Sequence, residues 1–112
     1  MAEVFQPRTE ILNDEDGRRV ASADIEVVAN TTRTSLRVEA GHLPAGTRER
    51  LVDAVLDSPE VDASHRIEVS IPIGDTDMLR RIRERCHNTE SHDAGASCLI
   101  NAEMPNTRTA PH

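Results

Sequence analysis

The stretch from His65 to Cys86 constrains the fold most, because a strand pattern and a helix pattern follow each other there without a break. The first half of the stretch is apolar at every second position, which predicts a strand with one buried face. Gly74 ends this alternation, and Asp75 or Thr76 can then cap a helix with a single apolar face. A strand, a tight turn and a helix in this order predict a two-layer α/β architecture.

The preceding half of the chain predicts a hairpin and a further helix. Apolar residues alternate on both sides of a polar turn at residues 30–33, which indicates a hairpin over residues 24–40. A helix is predicted to begin near Thr47 and to end at Ser58-Pro59, because the residue before a proline disfavours helical geometry. Residues 87–96 are polar and predict a loop, and residues 97–104 predict a last strand.

The predicted elements follow the order β-β-α-β-α-β. Right-handed crossovers place both helices on one face of a four-stranded mixed sheet. The predicted fold class is therefore α/β (α+β), a two-layer open-faced sandwich formed by residues 23–104. A flexible N-terminal arm or small hairpin is expected at residues 1–22, and a disordered C-terminal tail at residues 105–112. The open face carries mixed charges and no aromatic residue, unlike RNA-binding sheets that stack bases on exposed rings.

Composition excludes several classes of protein. The 112 residues carry a net charge of −7, which argues against general binding to phosphate backbones or anionic lipid. All 13 basic residues are arginine, a bias typical of GC-rich bacterial genomes. Because no apolar run is long enough to span a membrane and no signal peptide is recognisable, a cytoplasmic protein with reduced thiols is expected.

The best chemical candidate is a group of two cysteines and two histidines, namely Cys86, His87, His92 and Cys98. Two thiolates and two imidazoles suit tetrahedral zinc. The spacing differs from that of zinc hairpins, and Cys86 and His87 would diverge at the end of a helix. Cys86 also belongs to the apolar face of the second helix, where a free cysteine acts as a small hydrophobic residue. The competing interpretation is a buried thiol, and no cofactor is expected.

The residue pattern argues against two further kinds of site. Nucleophilic catalysis by Ser97 or Cys98, with His87 or His92 as the base, lacks the Gly-x-Ser-x-Gly elbow. At Ile73–Asp77 a strand leads into a helix, a place where α/β proteins often bind anions. Its two aspartates repel phosphate, and they are better interpreted as complementing the helix dipole. The sequence therefore predicts no catalytic residue.

The basic cluster of the chain lies in the second helix and consists of Arg80, Arg81, Arg83 and Arg85. A DNA-recognition helix is its functional interpretation. Two of the four arginines have an acidic residue one helical turn away, and three acidic residues lie in the same segment. The helix is thus close to neutral, which makes nucleic-acid binding the weaker interpretation.

These observations predict a non-enzymatic protein-interaction or regulatory module. The first alternative is a nucleic-acid-associated regulator that uses the arginine-rich helix, and the second is a zinc-binding protein that uses the segment from Cys86 to Cys98. The partner is expected to be a protein or a second copy of the chain. A homodimer is predicted because the last strand, Cys98–Met104, is expected to lie at an unguarded sheet edge with Leu99 and Ile100 on opposite faces.

Overall fold

The structure is a computed structural model, and it describes residues 5–41 and 43–105. These residues form six strands and three helices. In chain order the elements are β1 (Arg8–Asn13), β2 (Arg19–Val28), β3 (Thr31–Val38), α1 (Thr47–Leu56), α2 (Pro59–Asp62), β4 (Arg66–Pro72), α3 (Thr76–Arg85), β5 (His87–Ala94) and β6 (Ser97–Glu103). Of the C-terminal tail expected at 105–112, all but Pro105 lies outside the described residues.

The six strands form one mixed sheet in the order β1-β2-β3-β4-β6-β5. Neighbouring strands are antiparallel except β3 and β4, which are parallel. The long helices α1 and α3 pack against each other and against one face of the sheet. The core lies between these two layers and is built from aliphatic side chains. The other face of the sheet is left open, as the sequence predicted.

The strand, turn and helix that organise the sequence are present as predicted. Ile67, Val69 and Ile71 point into the core from β4, and each is at most 3% exposed. Asp75 then caps α3, since its Oδ1 atom accepts a hydrogen bond from the backbone N–H of Met78 at 3.1 Å. The apolar face of α3 completes the core. The cap fixes where the helix begins, and burial of this face fixes how it packs on the sheet.

The expected sheet of four strands is wrong, because the sheet has six. One added strand, β1, comes from the segment expected to form a flexible arm or a small hairpin, and it pairs with β2. The other, β5, occupies the stretch interpreted as a polar loop, and it pairs with β6. Its side chains are almost all exposed. Backbone pairing holds β5 in the sheet, and no apolar alternation in the sequence indicates it.

The last strand does not lie at an edge of the sheet. β6 is paired with β4 on one side and with β5 on the other. The edge-pairing argument for a homodimer therefore does not apply to this strand, and β1 and β5 form the two edges. Self-association itself stays a prediction. In the described part of the chain, no helix is long and apolar enough to cross a membrane.

Candidate functional site

The two parallel strands β3 and β4 separate at their carboxyl ends. Their ladder ends at Ser35 and Ser70, whereas β3 continues to Val38 and β4 to Pro72. Over this length β3 stays paired with β2, and β4 stays paired with β6. The sheet therefore opens between the two strand ends. We call this opening the wedge.

A cavity of about 350 Å³ lies at the end of the wedge, and we call it the mouth cavity. It is lined by Val38 of β3, by Arg48 in the first turn of α1 and by residues 72–77. Arg48 Nε donates a hydrogen bond of 2.8 Å to Asp75 Oδ2. The side chain of Asp75 is 6% exposed and that of Arg48 is 36% exposed. An arginine of α1 is thus tied to the cap of α3 in this cavity.

A larger groove of about 700 Å³ lies on the open face, and we call it the sheet groove. Strand register places nine polar side chains of its lining on that face: Thr9, Asp24, Glu26, Arg33, Ser35, Glu68, Ser70, His92 and Asn101. Ser35 and Ser70 are also the last paired residues before the wedge opens. The sheet groove and the mouth cavity therefore lie on either side of the wedge.

Most charges of the sheet groove are already paired. Arg33 Nε donates to Glu68 Oε1 at 3.1 Å, and Arg37 Nη2 donates to Asp24 Oδ2 at 2.8 Å. Glu26 is half-buried, and within the described residues it forms no ion pair or hydrogen bond. An unpaired carboxylate in a groove can bind a cation or accept a proton.

The structure does not bring together the four residues proposed for zinc. Cys86 and Cys98 are buried in the core, whereas His92 faces the open side and His87 is exposed at the start of β5. Cys86 Sγ lies 3.6 Å from Met104 Sδ. Burial raises the pKa of the Cys86 thiol to about 11, and burial also raises the pKa of Cys98. Among the described residues no group of three or more His, Cys, Asp or Glu side chains could hold a metal ion.

Two arginines of the basic cluster donate hydrogen bonds from α3 to α1. Arg81 Nε and Nη2 donate to the two carboxylate oxygens of Asp53, each at 2.9 Å. Arg85 donates to Asp53 at 3.1 Å and to Asp57 at 2.6 Å. The hydrogen bond from Arg81 lowers the pKa of Asp53. This part of the cluster therefore holds the two helices together.

The other two arginines of the cluster have weaker contacts. Arg80 Nη2 donates to Asp77 Oδ1 at 3.1 Å within the same helix, and it lies 3.7 Å from Glu49 Oε2 of α1. Arg83 Nη2 donates to Ser91 Oγ of β5 at 3.4 Å. Three of the four arginines are thus engaged by carboxylates, and the cluster does not form a free cationic row.

Sequence reasoning missed Arg48 and Val38 as site residues. The wedge is built from segments that lie far apart in the chain, so no local pattern marks it. The stretch Ile73–Asp77 was considered as an anion site and set aside on charge. The structure places this stretch at the mouth cavity, where the Arg48 guanidinium faces the carboxylate of Asp75.

No protein-family model matches the chain. No curated protein matches it either. Solved structures do match. The ribosomal-protein-alanine N-acetyltransferase of Brucella melitensis is 12% identical with a TM-score of 0.62, and the match covers 88% of this chain and 69% of that one. YncA of Salmonella typhimurium, solved with its cofactor acetyl-CoA, is 13% identical with a TM-score of 0.56, covering 88% and 64%. A GNAT-family acetyltransferase of Streptococcus pneumoniae is 9% identical with a TM-score of 0.58, covering 88% and 66%.

These comparisons establish an α/β fold with a mixed sheet that matches GNAT acetyltransferase folds. The function predicted from the sequence, a non-enzymatic interaction or regulatory module, is corrected by this finding, because the matching structures are N-acetyltransferases. These N-acetyltransferases also give no support to the nucleic-acid-binding or zinc-binding alternatives. At 9–13% identity the likeness is one of fold, and this chain spans about two thirds of the length of these neighbours.

Proposed function

We propose that this chain is an acyl-CoA-dependent N-acyltransferase that holds the acyl donor in the wedge and the amine acceptor in the sheet groove. The observation that carries the proposal is the separation of β3 and β4 in a fold matched by N-acetyltransferases. One of these structural neighbours, YncA, was solved with acetyl-CoA.

The shape of the site fits an extended thioester donor. The sheet groove reaches Ser35 and Ser70, and the mouth cavity reaches Val38 and Pro72, so the wedge connects the two spaces. The pantetheine arm of coenzyme A carries amides, which can pair with strand backbone as an added strand does. β3 and β4 run on beyond their shared ladder, which leaves room for such pairing. Arg48 at the mouth suits the phosphate groups of the donor.

The sheet groove supplies groups for the acceptor. The donor, when bound, contributes an activated acyl thioester. An amine is protonated at neutral pH and must lose a proton before it can attack. Among the residues that the structure describes, Glu26 is the carboxylate of the groove without an ion pair, and it can bind the ammonium and accept its proton. His92 lines the same groove and offers an imidazole as a second base. Asn101 can orient the acceptor through hydrogen bonds.

Titration calorimetry with acetyl-CoA tests the donor site. We expect a Kd between about 1 μM and 1 mM, the range of most enzyme KM values. Ile73 lines the mouth cavity and is 49% exposed, so Ile73→Trp should fill the cavity without disturbing the core. This variant should bind at least about tenfold more weakly. The matched control is Ile11→Trp, since Ile11 is 47% exposed on β1, away from the wedge.

Transfer itself is tested by mass spectrometry of a panel of small amines and peptides incubated with acetyl-CoA and the protein. We expect acetylation of at least one amine, and Glu26→Gln should slow it by about 10² to 10⁴-fold, the usual contribution of a general base. Absence of acetyl-CoA binding at millimolar concentration, or equal weakening by both tryptophan variants, would contradict the proposed donor site.

A further inference from the structure

The mouth cavity is crossed by one ion pair between two elements. Arg48 belongs to the first turn of α1, and Asp75 precedes α3. The guanidinium Nε lies 2.8 Å from Asp75 Oδ2. Both residues line the cavity, so the pair occupies the space into which a ligand in the wedge would extend.

The carboxylate of Asp75 performs two tasks with its two oxygens. Oδ1 accepts the backbone N–H of Met78 and caps α3, while Oδ2 accepts Arg48. The capping task needs an oxygen acceptor and no charge, because asparagine caps helices as well as aspartate does. Pairing with Arg48 does need the charge. The two tasks can therefore be separated by a single substitution, Asp75→Asn.

The charges around the cavity define which ligand group fits. Arg48 supplies the positive charge among the lining residues, and Asp75 and Asp77 supply two negative charges. Asp77 is already paired with Arg80 at 3.1 Å. A phosphate group accepts two parallel hydrogen bonds from a guanidinium, whereas Asp75 accepts one from Arg48 here. A phosphate group can therefore compete with the Asp75 carboxylate for Arg48.

On the premise of the proposed function, in which the wedge holds the acyl donor and Arg48 binds a phosphate group of that donor, we propose that Asp75 competes with the donor for Arg48. Donor binding then transfers the guanidinium from Asp75 to the phosphate, and Asp75 keeps its hydrogen bond to Met78. The competition lowers the affinity for the donor, because the Arg48–Asp75 pair must open first.

Four variants test this competition by calorimetry with two probes, acetyl-CoA and inorganic pyrophosphate. Arg48→Gln should weaken binding of both probes about tenfold, the scale of one charge-assisted hydrogen bond. Its matched control is Arg50→Gln, which removes an exposed arginine outside the cavity. Asp75→Asn should strengthen binding about tenfold, because the cap stays and the competitor is gone. Its control is Asp77→Asn, which removes an equal charge from the same cavity and should change binding about twofold or less.

Each result separates this inference from the proposed function. If acetyl-CoA binds to the wild type but Arg48→Gln and Asp75→Asn leave its affinity unchanged, the competition is wrong and the donor site stands. If pyrophosphate binds with the expected variant pattern and acetyl-CoA does not, the Arg48 site stands and the acyltransferase proposal fails. Equal strengthening by Asp75→Asn and Asp77→Asn would overturn the competition, since it would reveal a general charge effect. Failure of both probes to bind would overturn both proposals.

Discussion

Arg8→Met should destabilise the protein, because it removes the cation that pairs with a buried carboxylate. Arg8 in β1 donates Nε to Glu60 Oε2 at 2.6 Å and Nη2 to Glu60 Oε1 at 3.0 Å. The side chain of Glu60 in α2 is 3% exposed, whereas that of Arg8 is 38% exposed. The substitution therefore leaves a carboxylate buried without its cation.

The expected loss of stability follows from the different exposures of these two side chains. Breaking a fully buried ion pair costs about 3–5 kcal/mol. Water reaches the exposed part of Arg8, which reduces the loss to about 2–3 kcal/mol. For a domain of this size such a loss lowers the Tm by about 10 °C. Replacing both partners, by Arg8→Met with Glu60→Leu, should recover stability to within about 1 kcal/mol of wild type, because no buried charge is left.

The contribution of Glu60 to stability should depend on pH with opposite sign in the wild type and in Arg8→Met. The hydrogen bonds from Arg8 hold the pKa of Glu60 below its ordinary range. A carboxyl with a lowered folded pKa stabilises the protein above its unfolded pKa, and this contribution is lost as the pH falls through the folded pKa. In Arg8→Met, burial raises the pKa of Glu60 instead, so stability is lost as the pH rises. The free-energy difference should widen from about pH 4 to about pH 7.

Urea unfolding followed by far-UV circular dichroism measures these free energies, since the chain has no Trp or Tyr for fluorescence. The reasoning is refuted if Arg8→Met lies within about 0.5 kcal/mol of wild type at pH 7, or if the difference does not change with pH. An equal loss in the double variant would also refute it, because the damage would then come from packing and not from an unpaired charge.

Three further predictions concern buried polar groups. Thr34 Oγ1 is buried without a hydrogen-bond partner among the described residues, so Thr34→Val should leave stability unchanged or raise it by up to about 1 kcal/mol. Thr32 Oγ1 bonds to Glu60 O and Ser64 Oγ, and Thr32→Val should cost about 1–2 kcal/mol in the same urea assay. The burial that raises the Cys86 pKa to about 11 should slow its alkylation by iodoacetamide at least about 100-fold relative to a free thiol near pH 8. Fast labelling of Cys86 in the folded protein, measured by mass spectrometry, would contradict this.

The strands that sequence predicts well are those with one buried aliphatic face. β4 alternates Ile67, Val69 and Ile71 with polar residues, and all three are buried. β5 could not be recognised, because nearly all of its side chains are exposed and its pairing with β6 uses backbone groups that every residue has. Backbone pairing does not depend on residue type, so edge strands of this kind cannot be recognised from hydrophobic periodicity.

The hairpin between β2 and β3 shows how a turn can be misplaced by residue preference. The sequence predicted the turn at residues 30–33, where polar residues cluster. The structure turns at Ala29 and Asn30, with φ angles of 49° and 68°. Alanine rarely adopts positive φ, so it gives no turn signal. Thr31 and Thr32, which were assigned to the turn, are β-branched and begin β3.

The wedge has one mark in the sequence, which becomes meaningful only when the order of the strands is known. Pro72 ends β4, and proline has no N–H to donate to a sheet ladder. In a sequence this indicates the end of a strand or an edge strand. In the structure β4 is central, and Pro72 stays in register with Ser97 of β6 on one side. Toward β3 the ladder has already ended at Ser70, so the missing donor lies in a strand that opens on one side. The end of β4 therefore forms one side of a cleft only because the neighbouring strand β3 no longer pairs with it. Arg48 lines that cleft from α1.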